Sequence, residues 1–336
     1  MICAIPLPAA APPLLKLENL TLDFDGGAKP AVRDFSLELA AGEIVGLVGE
    51  SGSGKSLSAL YLMGLTPPSA TIRSGRLFFK GEDLGRLGPR TRRRLCGTKL
   101  GLIFQEPLTA LNPVLTIGEQ VAEIFRLRAG QGRRNARASA LALLARVGLP
   151  NPAEAAERYP HHFSGGMRQR VVIALALALA PEVLVADEPT TALDPTIAVQ
   201  ILNLLTRLAA EDGAAVLLIT HNLRLLKNRA RRIMVMYTGL AVEEAGSGEM
   251  FAHPAHPYTA GLLQALPPAL DEPPPPRLRP IPGTPPAPGA WPPGCPFEPR
   301  CQFAVPFCRT ALPPLADLGE GRRVRCFFPA RPAGSA

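Results

Sequence analysis

The chain has no apolar stretch long enough to cross a membrane. Its longest run made only of apolar residues other than glycine and proline, Val171 to Ala180, is ten residues, about half of the roughly twenty that a spanning helix needs. Met1 to Pro13 is apolar but lacks the basic start of a secretory signal, and it reads as a disordered lead. The protein is therefore expected to be soluble, or held at a membrane through other subunits. Aromatic residues are scarce, 5% of 336, and none interleaves with the arginine clusters at Arg90–Arg94, Arg133-Arg134 and Arg229–Arg232. No nucleic-acid motif accompanies those clusters. The net charge of +8 thus reads as solvated faces with some attraction to anionic headgroups, and no nucleic-acid partner is expected. There is no heptad run, which excludes a long coiled-coil arm, and no pair of cysteines at the C-x2–4-C spacing usual for structural zinc.

Against these absences stand two polar motifs, each at the end of a short apolar run. Glu43-Ile44-Val45-Gly46-Leu47-Val48 has the length and composition of a buried parallel strand. It enters Gly49-Glu50-Ser51-Gly52-Ser53-Gly54-Lys55-Ser56, and a helical stretch from Leu57 to Met63 follows. Strand, glycine-rich turn and helix together make a phosphate cradle, with backbone N–H groups and a helix N-terminus facing one anion. Lys55 is the candidate for the β- and γ-phosphates, and the Ser56 hydroxyl for Mg²⁺. The second run, Val183-Leu184-Val185-Ala186, ends in Asp187-Glu188. Asp187 is placed to hold Mg²⁺ through its water shell, and Glu188 to orient and deprotonate an attacking water.

With Ser164-Gly165-Gly166-Met167-Arg168-Gln169 added, the chain closely resembles the nucleotide-binding subunit of an ABC transporter. The resemblance runs from about Leu14 to about Glu249. It implies an α/β P-loop NTPase fold with a β-rich N-terminal part and a helical subdomain, and an ATPase that binds ATP and Mg²⁺. It also implies that Gln105 touches Mg²⁺, that His221 senses the γ-phosphate and that Phe24 stacks on adenine. By the same resemblance Asp194 would belong to a loop crossing a dimer interface, and Ser164, Gly165, Gly166 and Gln169 would serve the partner's nucleotide in trans. Lys55 of one subunit would then face Ser164 of another. Apolar residues at Ile117, Val121, Ile124, Phe125 and Leu127 mark an amphipathic helix, so residues 106–180 are expected to form the helical part that docks on membrane subunits.

Past residue 250 the composition changes, with 22 of the 38 prolines in the last 86 residues. Such a segment is not expected to extend the sheet or form long helices. It nevertheless carries His256-Pro257-Tyr258-Thr259 and four of the six cysteines, Cys295, Cys301, Cys308 and Cys326. This tail and the segment Gln105 to Pro113 resemble the ATPases of dipeptide and oligopeptide importers. The division expected is thus a lead over 1–13, an ATPase domain over 14–250 and a small Pro/Cys-rich module over 251–336. The resemblance implies as partners a second ATPase (a copy or a paralogue), two transmembrane permeases and an extracytoplasmic peptide-binding protein. It implies a place on the cytoplasmic face of the inner membrane. Related importers move nickel complexes or other small ligands, and non-transport ABC ATPases are a further alternative. Four thiols among phenylalanines suit an iron–sulfur cluster, and members resembling this chain carry [4Fe–4S]; zinc and disulfide-linked or free thiols remain alternatives.

Overall fold

The computed structural model describes residues 12–24, 30–266, 279–287 and 290–330; most of the lead expected over Met1 to Pro13 lies outside them. The N-terminal part is an antiparallel sheet of β1 (Leu15–Phe24) flanked by β2 (Val32–Leu39) and by a later strand, β4 (Ala70–Phe79), with β5 (Glu82–Asp83) at the edge. β1 buries Leu15 and Leu17, then Leu20 and Leu22. The one-residue offset between these pairs is absorbed by a bulge at Asn19, whose φ is +50°. A bulge of this kind lets one strand keep the same face buried along its whole length.

The central sheet is parallel. β3 (Ile44–Val48), β6 (Leu100–Ile103), β7 (Val183–Asp187), β8 (Ala215–Thr220) and β9 (Arg232–Tyr237) lie in the order β6-β7-β8-β3-β9. Their near-continuous apolar runs follow from burial on both faces. Val183, Val185, Leu217 and Ile219 enter the core shared with the N-terminal sheet and with α1 (Lys55–Leu62). Leu184, Ala186, Val216 and Leu218 enter the opposite core.

Between the N-terminal sheet and β6 runs α2 (Pro89–Thr98), which carries the exposed arginines. Between β6 and β7 the chain is helical throughout: α3 (Pro107–Ala110), α4 (Ile117–Ala129), α5 (Arg133–Arg146), α6 (Pro152–Ala156) and α7 (Gly165–Leu177). Of the five anticipated apolar positions, Ile117 and Val121 enter the second core and Phe125 packs against it, Ile124 is half-buried, and Leu127 is exposed. α8 (Pro195–Asp212) covers that core from the other side, ending at Gly213 in the left-handed region (φ +67°). Among the described residues no helix is long and apolar enough to cross a membrane.

The C-terminal region departs from the sequence expectation. β10 (Leu240–Gly246) pairs with β9, and α9 (Ser247–Ala252) and α10 (Pro257–Ala265) follow. The chain then returns to the sheet as a hairpin of β11 (Ala316–Gly319) and β12 (Arg322–Val324), with Glu243 opposite Val324. A proline-dense tail was expected not to extend the sheet; it does, because residues 315–328 contain no proline and keep every ladder donor. The hairpin turn uses Gly319 and Gly321 at positive φ. Tyr258 and Phe297 are buried in the second core, so this region is built into the cassette.

Candidate functional site

Gly49 to Ser56 connect β3 to α1, whose first residue is Lys55. The cap residue Gly54 has φ +97° and Gly52 has φ +77°, so two left-handed glycines curl the loop. The Lys55 amine is buried and donates to the carbonyls of Gly49 (2.8 Å) and Glu50 (2.9 Å) and to Ser53 Oγ (3.2 Å). Burial pushes its pKa down, opposed by the carboxylates of Glu188, Asp187 and Glu50. Ser56 Oγ donates to Asp187 Oδ1 at 3.1 Å. Burial pushes the Asp187 carboxyl up, while that hydrogen bond pulls it down. Ser56 and Asp187 therefore present two hard oxygen donors side by side, the chemistry that suits Mg²⁺.

Glu188 follows at the end of β7 in the left-handed region (φ +46°), its N–H bound to the Ile219 carbonyl at 3.0 Å. Its Oε2 is a meeting point: the Thr191 hydroxyl donates to it at 2.7 Å, His221 Nδ1 lies 3.1 Å away and Gln105 Nε2 lies 3.5 Å away. Gln105, Asp187, Glu188 and His221, more than a hundred residues apart at the extremes, are thus gathered beside Lys55 and Ser56. Thr191 was not anticipated. Its signal was present in the sequence, a hydroxyl three residues after the carboxylate in a tight turn.

Ser164 caps α7, its side chain accepting from Met167 N at 3.4 Å, and it is exposed with Gly165 beside it. Gly166 lies against Ile197 of α8, where a Cβ would stand 2.7 Å from Cγ2. Asp194 is exposed and caps α8 through Thr196 N at 2.9 Å. Gln169 does not join this surface. It is 1% exposed, on the helix face it shares with buried Val172 and Ile173, and among the described residues its Nε2 has no hydrogen-bond partner. Phe24 ends β1 opposite Ala70 and is 40% exposed; the Gly26-Gly27 loop after it lies outside the described residues.

Cys295, Cys301, Cys308 and Cys326 are all free thiols and line one cavity of about 20 Å³ together with Phe297, Phe303, Phe327 and Phe328. Among the described residues no three His, Cys, Asp or Glu side chains gather tightly enough to hold a single metal ion. Burial pushes the Cys295 thiol up to about 11, despite an N–H from Phe297, and raises those of Cys301 and Cys326 as well.

Sequence reading placed Glu50 in the phosphate loop; its carboxylate instead turns to the C-terminal region. Arg300 grips it with two bonds of 2.7 and 3.0 Å, and the Glu50 N–H donates to the Tyr258 hydroxyl at 2.9 Å. Beside the loop a cavity of about 250 Å³ is walled by Gly52 and Ser53 and by Pro285, Pro286 and Trp291.

The fold and these constellations define a P-loop ATPase cassette. Residues 32–191 match the ABC transporter family, and residues 242–308 match the oligopeptide/dipeptide transporter C-terminal region. The chain is 43% identical over 323 residues to the dipeptide transport ATP-binding protein DppD of Escherichia coli K12, covering 96% of this chain and 98% of that one. It is 46% identical over 257 residues to DppD of Bacillus subtilis 168, covering 76% and 77%. Among solved structures, the dimeric ATP-binding cassette MJ0796 bound to ADP and Pi aligns with TM-score 0.61 at 31% identity, covering 69% of this chain and 98% of that one. CbiO1 of Clostridium perfringens, part of the ABC transporter complex cbiONQ, aligns with TM-score 0.63 at 25% identity, covering 72% and 92%. The chain belongs to the ATP-binding proteins of the ABC dipeptide/oligopeptide transporter family.

The loop geometry ranks two substitutions. At Gly49 a Cβ would stand 2.2 Å from the Met236 carbonyl oxygen and 2.8 Å from Ser53 Oγ, whereas at Gly52 it would meet nothing within 4 Å. Gly49→Ala must displace backbone and should cost about 3 kcal/mol or more, above the usual overpacking range. Gly52→Ala carries only left-handed strain, about 1–2 kcal/mol. Urea unfolding midpoints check the order; equal losses would remove the packing argument.

Proposed function

We propose that this chain is the ATP-hydrolysing subunit of an importer of dipeptides and oligopeptides, bound peripherally at the cytoplasmic face of the inner membrane. Convergence of Thr191, His221 and Gln105 on one oxygen of Glu188, beside Lys55 and Ser56, is the observation that carries the hydrolytic part. The match of residues 242–308 to the oligopeptide/dipeptide transporter C-terminal region and the dipeptide transporters among the relatives carry the cargo. The partners are a second ATPase, two permeases and, through them, an extracytoplasmic peptide-binding protein, with residues 14–250 as the ATPase domain. The helices within 106–180 dock on the permeases, and residues 251–336 are the importer's extension.

In this reading the loop N–H groups between Ser51 and Ser56 and the Lys55 amine hold the phosphates of ATP, and Phe24 offers its exposed ring to adenine. Ser56, Asp187 and Gln105 would hold Mg²⁺, which supplies charge neutralisation at the phosphates. Glu188 takes the proton of the attacking water, His221 contacts the γ-phosphate, and Thr191 fixes the carboxylate. Exposed Ser164, Gly165 and Asp194 serve the site of a head-to-tail partner, with the N-terminus of α7 favouring the partner's phosphate.

The four cysteines are read as ligands of a [4Fe–4S] cluster. Three observations support the fit: all four thiols are free and face one cavity, three of them accept an N–H from the residue two positions on, and phenylalanines surround them. Once bound, the cluster would supply covalent order to a segment with little regular structure.

Three measurements test this reading. Glu188→Gln in the assembled transporter should keep ATP binding while turnover falls by about 10²–10⁴, as on losing a general base; near-normal turnover would place hydrolysis in the partner's site. Ser164→Arg should leave ATP binding by the isolated subunit intact and abolish ATP-driven dimerisation of a Glu188→Gln background; equal loss of monomer binding would refute the shared site. Anaerobically purified protein should be brown with about four irons per chain, and colourless protein with one stoichiometric zinc would replace the cluster.

A further inference from the structure

The phosphate loop is anchored from outside the ATPase domain. Glu50 is the second residue of the loop, and its carboxylate and its N–H are both taken by the C-terminal region. The carboxylate is held by two parallel bonds from Arg300, and the N–H goes to the Tyr258 hydroxyl. Arg300 is itself immobilised: its side chain is 4% exposed, Nε donates to the Pro282 carbonyl at 2.9 Å and a terminal nitrogen reaches the Tyr237 hydroxyl at 3.3 Å. Tyr258 is fully buried, and its aim is set by two neighbours. Glu243 accepts the N–H groups of Ala255 (2.7 Å) and His256 (2.8 Å), and His256 Nδ1 accepts that of Tyr258 (3.0 Å). Tyr237, Tyr258 and Phe297 pack ring against ring at 4.6–5.4 Å, and Phe297 donates its N–H to Cys295.

An arginine–carboxylate pair whose guanidinium is buried gains little net stability over an apolar pair and is better explained by the geometry it enforces. The geometry enforced here is that of a loop made pliable by Gly52 and Gly54. A loop already held in its binding shape loses less conformational freedom when it takes a ligand. We propose that Arg300 and Tyr258 are positioning residues of the phosphate loop, through which the cysteine-bearing segment sets the affinity for ATP. This rests on the reading of Gly49 to Ser56 as the ATP site. Because binding free energies are reciprocal, ATP should in turn steady the segment around Cys295–Cys308.

The test uses the full-length chain with Mg-ATP titrations, thermal unfolding without nucleotide, and amide hydrogen exchange. Tyr258→Phe keeps the ring and loses only the acceptor for Glu50 N–H; its ATP affinity should fall about threefold to tenfold, the effect of one hydrogen bond, with little change in Tm. Arg300→Gln should weaken ATP about tenfold or more by stranding the Glu50 charge, and adding Glu50→Gln should restore part of the loss. Saturating ATP should slow exchange in residues 295–308 of the unaltered protein and not of Arg300→Gln. Unchanged ATP affinity in Tyr258→Phe, or a fall in Tm with unchanged affinity of the folded fraction in Arg300→Gln, overturns the proposal. If Arg300→Gln does not fold, Tyr258→Phe decides alone. A Lys55→Ala control separates the premise: ATP binding that is absent from the unaltered chain, or unaffected by Lys55→Ala, would sink the nucleotide site itself.

Discussion

The level pairing of β3, β8 and β7 is the constraint on which the rest depends. Val48 pairs with Thr220, and Asp187 with Ile219, so three strands end at one rim. The phosphate loop, Glu188 and His221 are the next residues on each, with Asp187 the last of β7, and the carboxyl ends of parallel strands are where such sheets place ligands. Both faces of these strands are apolar, so polarity alone does not oppose a slip. A one-residue shift of β7 would carry Glu188 about 3.3 Å along the strand and undo its 3.1 Å contact with His221. The cores above and below hold that register, through Val185 and Leu217 on one side and Leu184 and Val216 on the other.

The same rim is extended sideways by β9 and β10, and there the C-terminal region takes hold. Tyr237 at the end of β9 meets Tyr258 and Phe297, while Arg300 crosses from beside Cys301 to Glu50. Taking a guanidinium out of water is costly, and every one of its nitrogens is satisfied here. Those bonds hold Arg300 against the phosphate loop. The cysteine cavity and the nucleotide loop are thereby parts of one packed unit, although they are separated by more than two hundred residues of sequence.

Local chemistry was legible in the sequence. The glycine-rich turn, the two carboxylates after an apolar run, the Ser-Gly-Gly cap and the helical stretch before β7 all follow from period, turn geometry and capping, which act within a few residues. The β11–β12 hairpin was not legible, because proline content averaged over the tail hides a proline-free stretch whose partner strand lies some eighty residues upstream. Nor was the burial of Gln169, since a motif states which residues stand together and not which way the helix is turned.

The sequence alone determined that this chain makes a phosphate loop, an acidic strand end and a capped signature helix, since each is written in adjacent residues. Only the tertiary structure decided that Glu188 Oε2 collects Thr191, His221 and Gln105, and that Glu50 answers to Arg300 and Tyr258. Those contacts join side chains from distant segments, and their distances exist only once strand register and core packing have brought the segments together.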